Sequence, residues 1–276
     1  MAKNNKYSIS EAKEQQWIKE GRGSGQGCNY KPWITVRDIP SEGRSHRVFG
    51  HKTQRTHHLL SDLELAVFLL LEWHTETTDV REQFPLRKED TMALATEACI
   101  NHPSSNGVMH TMSSDFLVNT SNALKPKFAL QAKYTQAMQD PRTVEKLELE
   151  RRYWRQKDVP WQVITEQDIP KIVFQNISWL YSAQRDDLNE EIMLDRHKFY
   201  TYQFQQHPEK TIIEIAKKLD VEYKLATGES LLEIRQLLAR RYFLFNILIP
   251  TTKLIAADLQ AGDMATFQEA HYVSNQ

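Results

Sequence analysis

The stretch SDFLVNTSNALKPKFALQAKYTQ (114–136) places an acid, Asp115, near the start of one strand-like run. An amide and an amine, Gln131 and Lys133, lie near the end of the next run. Positions 131 and 133 share parity, so in a strand both side chains face the same way. An acid, a gap of about fifteen residues, an acceptor residue, any residue and then a lysine suits metal-dependent phosphodiester hydrolysis. That reaction needs a divalent cation against the developing charge, a water deprotonated near neutral pH, and compensation at the leaving oxygen. Asp115 supplies a hard oxygen ligand suited to Mg²⁺, with Mn²⁺ able to substitute. Lys133 would position the water or offset charge. Gln131 stands where a second carboxylate would hold a dication more firmly. Glu64, on the helix before the strands, is the acid nominated to compensate. The expected metal ligands are then Glu64, Asp115 and Gln131, the last through its side chain or its backbone carbonyl.

The same residues also have plainer roles. Asp115 can cap a strand, Gln131 and Lys133 can line a solvated strand face, and Glu64 can complete an S-x-x-E capping box with Ser61. His57 and His58 lack the further ligands of a metal centre and read as surface or DNA-contacting residues. Glu145, Glu148 and Glu150 could form a carboxylate triad with Asp115, as in RNase H-like chemistry, but read first as the charged face of their helix.

The elements that must position these groups can be read from pattern. HHLLSDLELAVFLLLEWH (57–74) is an almost wholly apolar helix, to be buried on most faces. TTDVREQFPL (77–86) is a strand ending at Pro85, and 87–113 reads as irregular or weakly helical. DFLVNT (115–120) and KFALQAKY (127–134) are the two strands of the candidate site. Pro141 opens a helix over 141–158 with Val144, Leu147, Tyr153 and Trp154 on its apolar side. WQVIT (161–165) is a short strand. The order describes an α/β core with a mixed sheet flanked by helices, over residues 1–167.

From 168 to 276 the pattern is mostly helical: 169–183, 187–206, 211–223, and 230–241 behind a second capping box at Ser230 and Glu233. YFLFNILI (242–249) and KLIAADL (253–259) read as a hairpin around Pro250. Helices followed by a two-stranded wing are the order of a winged-helix module, which binds DNA or protein. GRGSGQG (21–27) lacks the GK[ST] ending of a phosphate loop and reads as a flexible connector.

Composition narrows the class. With 276 residues, 40% hydrophobic and 26% charged, the chain can build a substantial core. Its two cysteines, Cys28 and Cys99, form no CxxC pair, so a disulfide framework or zinc site is not expected. No apolar run spans a bilayer, and MAKNNKYSISEAKEQQ has no signal-peptide core, which points to the cytoplasm and away from membranes. Net charge is −1, yet residues 1–60 hold eleven Lys or Arg against five Asp or Glu. That basic arm, interleaved with Trp17, Tyr30, Trp33 and Phe49, is compatible with phosphate-backbone contact.

Longer stretches carry a resemblance. PWITVRDIPSEGRSHRVFGHKTQRTHHLLSDLELAVFLLLEW (32–73), VREQFPL (80–86), MSSDFLV (112–118), QAK (131–133) and EKLELERRYWRQKDVPW (145–161) resemble the TnsA family, the endonuclease subunit of heteromeric bacterial transposases. NISWLYS (176–182) and SLLEIR (230–235) continue the likeness more loosely. The resemblance implies a restriction-endonuclease-like N-terminal domain with Glu64, Asp115 and Lys133 as its catalytic set and Gln131 at the second strand position. It further implies Mg²⁺-dependent cutting of transposon-end DNA at the 5′ ends. A DDE-type transposase, TnsB, would act on the 3′ ends, and an ATP-dependent regulator, TnsC, would contact the C-terminal part. The alternative is a winged-helix adaptor that recruits the regulator without cutting.

Overall fold

The computed structural model describes residues 10–38, 43–105, 107–185 and 189–262. The first nine residues of the basic arm, parts of the stretches read at 32–73 and 187–206, and the tail after Gly262 lie outside the described residues. The chain divides into two compact units that part between Ile169 and Pro170.

The first unit is built on a four-stranded sheet ordered β3-β6-β7-β8, from β3 (Thr77–Pro85), β6 (Ser113–Thr120), β7 (Lys127–Ala132) and β8 (Trp161–Ile164). β3, β6 and β7 run antiparallel, as a hairpin connection allows. β8 joins β7 in parallel and so needs a crossover, which α4 (Pro141–Gln156) supplies. One sheet face, including Leu117 and Ala129, packs on Leu149, Tyr153 and Trp154 of α4 and on Leu94 of α3 (Lys88–Glu97). α2 (Asp62–Trp73) lies against β2 (Arg55–Leu59), β3 and β7. Around this core stand α1 (Glu11–Lys19), β1 (His46–Gly50) paired with β2, and the short β4 (Ser104–Ser105) with β5 (Val108–Met109).

Several sequence expectations need correction. Residues 57–59 are not helical: burial alternates along Arg55–Leu59, the period-2 signature of a strand, and the helix begins only after Ser61. His57 is fully buried rather than at the surface. Trp17, Tyr30 and Trp33 of the basic arm are core residues, Trp17 and Trp33 meeting edge-to-face at 5.2 Å. Residues 88–97 form a regular helix in the stretch read as irregular. On α4, Val144 is exposed, and Leu149 and Glu150 are buried instead.

The glycine run is a fitted loop, not a flexible connector. Gly21, Gly23, Gly25 and Gly27 all hold positive φ, and the loop is tied to β3 by the Gly27 N–H donating to Asp79 Oδ1 at 3.2 Å. A Cβ on Gly23, at φ +75°, would stand 2.2 Å from Pro85 Cγ. Gly23→Ala is therefore expected to destabilise the protein by about 2 kcal/mol, from left-handed strain plus steric overlap, as a lower urea midpoint at constant slope.

The second unit holds α5 (Lys171–Tyr181), α6 (Glu190–Gln206), α7 (Ile212–Glu222) and α8 (Glu229–Ala239), with Ile177, Tyr200, Ile215 and Leu237 among its buried residues. The predicted capping box at Ser230 is absent. α8 starts after Gly228 at φ +91°, and the Asp220 carboxylate of α7 takes the N–H groups of Gly228 (2.7 Å) and Ser230 (2.9 Å). Glu233 instead accepts from the Tyr200 hydroxyl at 2.7 Å and pairs with Arg196 at 2.8 Å. The predicted hairpin is much reduced: only β9 (Phe243–Leu244) and β10 (Gln260–Ala261) pair. Between them the Asn176 amide of α5 binds the carbonyls of Ile247 (2.8 Å) and Ile249 (2.7 Å), so a side chain replaces the ladder. Among the described residues no helix is long and apolar enough to cross a membrane.

Candidate active site

The β6–β7 ladder stops at Phe116↔Leu130. One step further, side chains take over from backbone. The Asp115 N–H donates to Gln131 Oε1 at 3.0 Å, and the Ala132 N–H donates to Asp115 Oδ2 at 2.8 Å. The strands splay there, and Asp115 is held at the opening from both sides of its own carboxylate and amide. Lys133 is the first residue past β7. Its N–H is fixed to the Ile164 carbonyl at 3.0 Å, which continues the β7–β8 pairing.

Glu64 comes from the first turn of α2. The Ser61 side chain accepts the Glu64 N–H at 3.1 Å, so the N-cap is present. The Glu64 carboxylate accepts from the Leu60 N–H (2.9 Å) and the Ser61 hydroxyl (3.0 Å) and turns toward the sheet. There it meets Asp115 through one intermediary: Gln83 Nε2 lies 3.2 Å from Glu64 Oε2 and 3.2 Å from Asp115 Oδ1. The structure thus brings together all four sequence-predicted residues. Gln131, Lys133 and Glu150 line a pocket of about 260 Å³, together with Lys146. Among the described residues no three His, Cys, Asp or Glu side chains are gathered as a metal-ligand cluster, so the acid set stops at two.

The electrostatics are those of a site short of positive charge. Burial pushes the Glu64 pKa up to about 8, the neighbouring Asp115 charge adds to this, and the Leu60 N–H and Lys133 oppose it. Burial also raises Asp115, against the pull of Lys133 and the Ala132 N–H. Two desolvated acids sharing a space are a setting that a divalent cation would stabilise. Lys146 is pushed below the usual lysine range by desolvation and by the Arg142 and Lys133 charges.

Two residues of this site depart from the sequence reading: one was weighed as a member of a carboxylate triad but read first as part of a charged helix face, and the other was not singled out. Glu150 is buried rather than on a charged face, accepting from the Ser114 hydroxyl (2.6 Å) and the Trp161 indole (2.8 Å). Burial lifts its pKa to about 8, against the Ser114 and Trp161 hydrogen bonds. Its helix neighbours Glu145 and Glu148 do lie outside, paired with Arg142 (2.6 Å) and Arg151 (2.7 Å). Gln83 is the other. It is 3% exposed and sits at φ +48° within β3, a left-handed backbone that costs a non-glycine residue about 1–2 kcal/mol. The available signal was REQ (81–83), three consecutive polar residues inside a strand buried on both faces, which must find partners.

Raised carboxyl pKa values fix a pH dependence. A group with a folded pKa above its unfolded value stabilises fully below the unfolded pKa, and that contribution is lost as pH rises through the folded one. For Glu64 and Glu150 the window runs from about 4.5 to about 8. Metal-free protein should lose stability across that range, and Glu150→Gln, which cannot ionise, should flatten the fall. Urea midpoints measured from pH 5 to pH 9 check both.

Comparisons with known proteins place the chain in a family. Residues 74–166 match the family described as TnsA-like endonuclease N terminal, and residues 168–247 match TnsA endonuclease C terminal. The chain is 46% identical over 275 residues to the transposon Tn7 transposition protein TnsA of Escherichia coli, covering 100% of both chains. A likeness that runs the whole length of both proteins and through both halves of this one leads to a single assignment: the chain belongs to the TnsA family and is a DNA endonuclease of transposition.

Proposed function

We propose that Glu64, Asp115 and Lys133 are the catalytic residues of an endonuclease that cuts the 5′ ends of its transposon, with Mg²⁺ as the working cation and Mn²⁺ able to replace it. The observation that carries this reading is the pair of buried carboxylates, brought from α2 and β6 onto one nitrogen, with the Lys133 charge acting on both. The donor set fits a hard dication: two carboxylates with raised pKa values gain by shedding protons to it. The Gln131 side-chain oxygen is already occupied by the Asp115 N–H, so position 131 would contribute its backbone carbonyl. When bound, the cation supplies charge neutralisation at the phosphate and a more acidic water.

The chain's own residues do the rest. Glu64 and Asp115 hold the anionic side of the site, and the Ala132 N–H keeps Asp115 from turning away. Lys133, anchored to β8 at its backbone and acting on both acids by its charge, would serve the attacking water or the scissile phosphate. The mixed sheet and flanking helices are the support a restriction-endonuclease-like core would use.

For the second unit we infer a winged-helix module. α6, the Thr211↔Ile255 bridge, α7, α8 and the β9–β10 pair follow one another in the order of that fold. Exposed Tyr202, Val221 and Tyr223 give it apolar surface suited to a protein partner, the ATP-dependent regulator TnsC. The DDE-type transposase TnsB would handle the 3′ ends of the same DNA, in the cytoplasm. The test is a strand-mapped cleavage assay on transposon-end DNA with a divalent cation and the partner transposase. Wild type should cut the 5′ strand and Asp115→Asn should not. A cut that persists in the variant removes these residues from the chemistry.

A further inference from the structure

Gln83 occupies an unusual place. In register it stands opposite Asp115, between the pairs Glu82↔Phe116 and Phe84↔Ser114, yet that pair is missing from the ladder. Its carbonyl accepts the Trp33 N–H at 3.2 Å. Its side-chain oxygen accepts from the Ser113 hydroxyl at 3.2 Å, which fixes the amide's orientation and points its two N–H bonds at the acids. The nitrogen is 3.2 Å from one oxygen of each carboxylate. Backbone strain, burial and three side-chain contacts therefore all serve one outcome: a partial positive charge at the point the two acids share.

We infer that Gln83 is a placeholder for the catalytic cation. Its amide takes the cation's position in the metal-free enzyme, holds Glu64 and Asp115 at a preset spacing, and gives way when a divalent ion enters. This rests on the proposed reading of Glu64 and Asp115 as metal ligands. An amide and a dication cannot both occupy a point defined by the same two oxygens. The contacts of Gln83 to the acids thus belong to the metal-free state and are lost from the loaded one. By thermodynamic linkage, removing them destabilises the empty enzyme and tightens metal binding together.

The experiment titrates full-length, metal-free protein with Mn²⁺ by calorimetry, alongside urea unfolding without metal. Gln83→Met keeps chain length and removes both donors; Gln83→Asn keeps an amide too short to span the two acids and tolerates the left-handed backbone. Both variants should unfold at lower urea without metal, yet bind Mn²⁺ at least fivefold more tightly than wild type. A variant that folds only when Mn²⁺ is present also supports the inference. Unchanged or weaker Mn²⁺ affinity in the folded variants overturns it, as does failure of both to fold with Mn²⁺ present. Asp115→Asn in the same titration separates the two readings. If it loses Mn²⁺ binding, the metal-ligand reading stands whatever Gln83 does. If it binds Mn²⁺ like wild type, the ligand reading falls, and the placeholder with it.

Discussion

Asp115→Asn is expected to lower 5′-strand cleavage by roughly 10³-fold or more, a barrier increase of about 4 kcal/mol, while leaving the protein folded. The loss follows from position. Asp115 is the one acid held by backbone from the adjoining strand, through the Ala132 N–H at 2.8 Å, and asparagine can keep that bond with its carbonyl oxygen. What it cannot keep is the charge, nor the second oxygen that accepts from the Gln83 amide at 3.2 Å. Asp115 raises its neighbour Glu64, so the substitution should let the Glu64 pKa fall and relieve part of the cost of two desolvated acids. The relieved charge offsets the lost Gln83 contact, so stability at neutral pH should change by no more than about 1–2 kcal/mol as activity vanishes, a combination that a merely structural aspartate would not give. Circular dichroism and urea unfolding would accompany the strand-mapped assay. Lys133→Ala should lose cleavage as well. Retained activity in that variant would favour three-carboxylate chemistry without a lysine, with Glu150 as the third acid to reconsider.

The acid, the amide and the lysine were legible in the sequence because they lie on one hairpin, where parity and spacing speak directly. Glu64 was legible only as an absence, since a site with one carboxylate needs another. Gln83 was legible only as one of three polar residues in a buried strand, not in its role. Its role depends on a left-handed backbone inside a strand and on the splaying of β6 from β7, and neither leaves a local signature. Glu150 was hidden among three glutamates on one helix, and only the crossover geometry of α4 decides which of them turns inward. The β6, β7 and β8 strands of the main sheet were found because each carries β-favouring apolar residues and is bounded by turn residues, and β3 because it ends at Pro85. The errors fall where tertiary partners override local pattern. Asp220 caps α8 in place of Ser230, and Asn176 holds the segment read as a hairpin. The glycine run looked flexible because glycine permits freedom, yet here it permits close approach to Pro85.

Glu82→Ala is expected to cost about 3–5 kcal/mol, the largest stability loss of any single change considered, because it strands a buried guanidinium. Glu82 is fully buried. Its carboxylate accepts from Arg55 Nη1 at 2.8 Å, from His57 Nδ1 at 2.8 Å and from the His58 N–H at 3.1 Å. Burial alone would raise its pKa. The adjacent His57 ring and Arg55 guanidinium outweigh that and hold it well below the usual carboxylate range. Its contribution is thus present above the unfolded pKa near 4.5 and is lost as pH falls below it. Arg55 also donates to the Val80 carbonyl at 2.8 Å and to the Gly27 carbonyl at 3.2 Å, so one ion pair ties β2, β3 and the glycine loop together. A further Arg55→Met replacement should recover a large part of the loss, because the unpaired buried charge goes with it; a double-mutant cycle in urea measures this. A loss below about 1 kcal/mol for the single change would mean that water reaches Arg55 and that the pair is not sealed. Cleavage should fall too, even where the variant remains folded. Glu82 is the residue before Gln83, and the strand it pins is the one that carries the amide between the two acids proposed as catalytic.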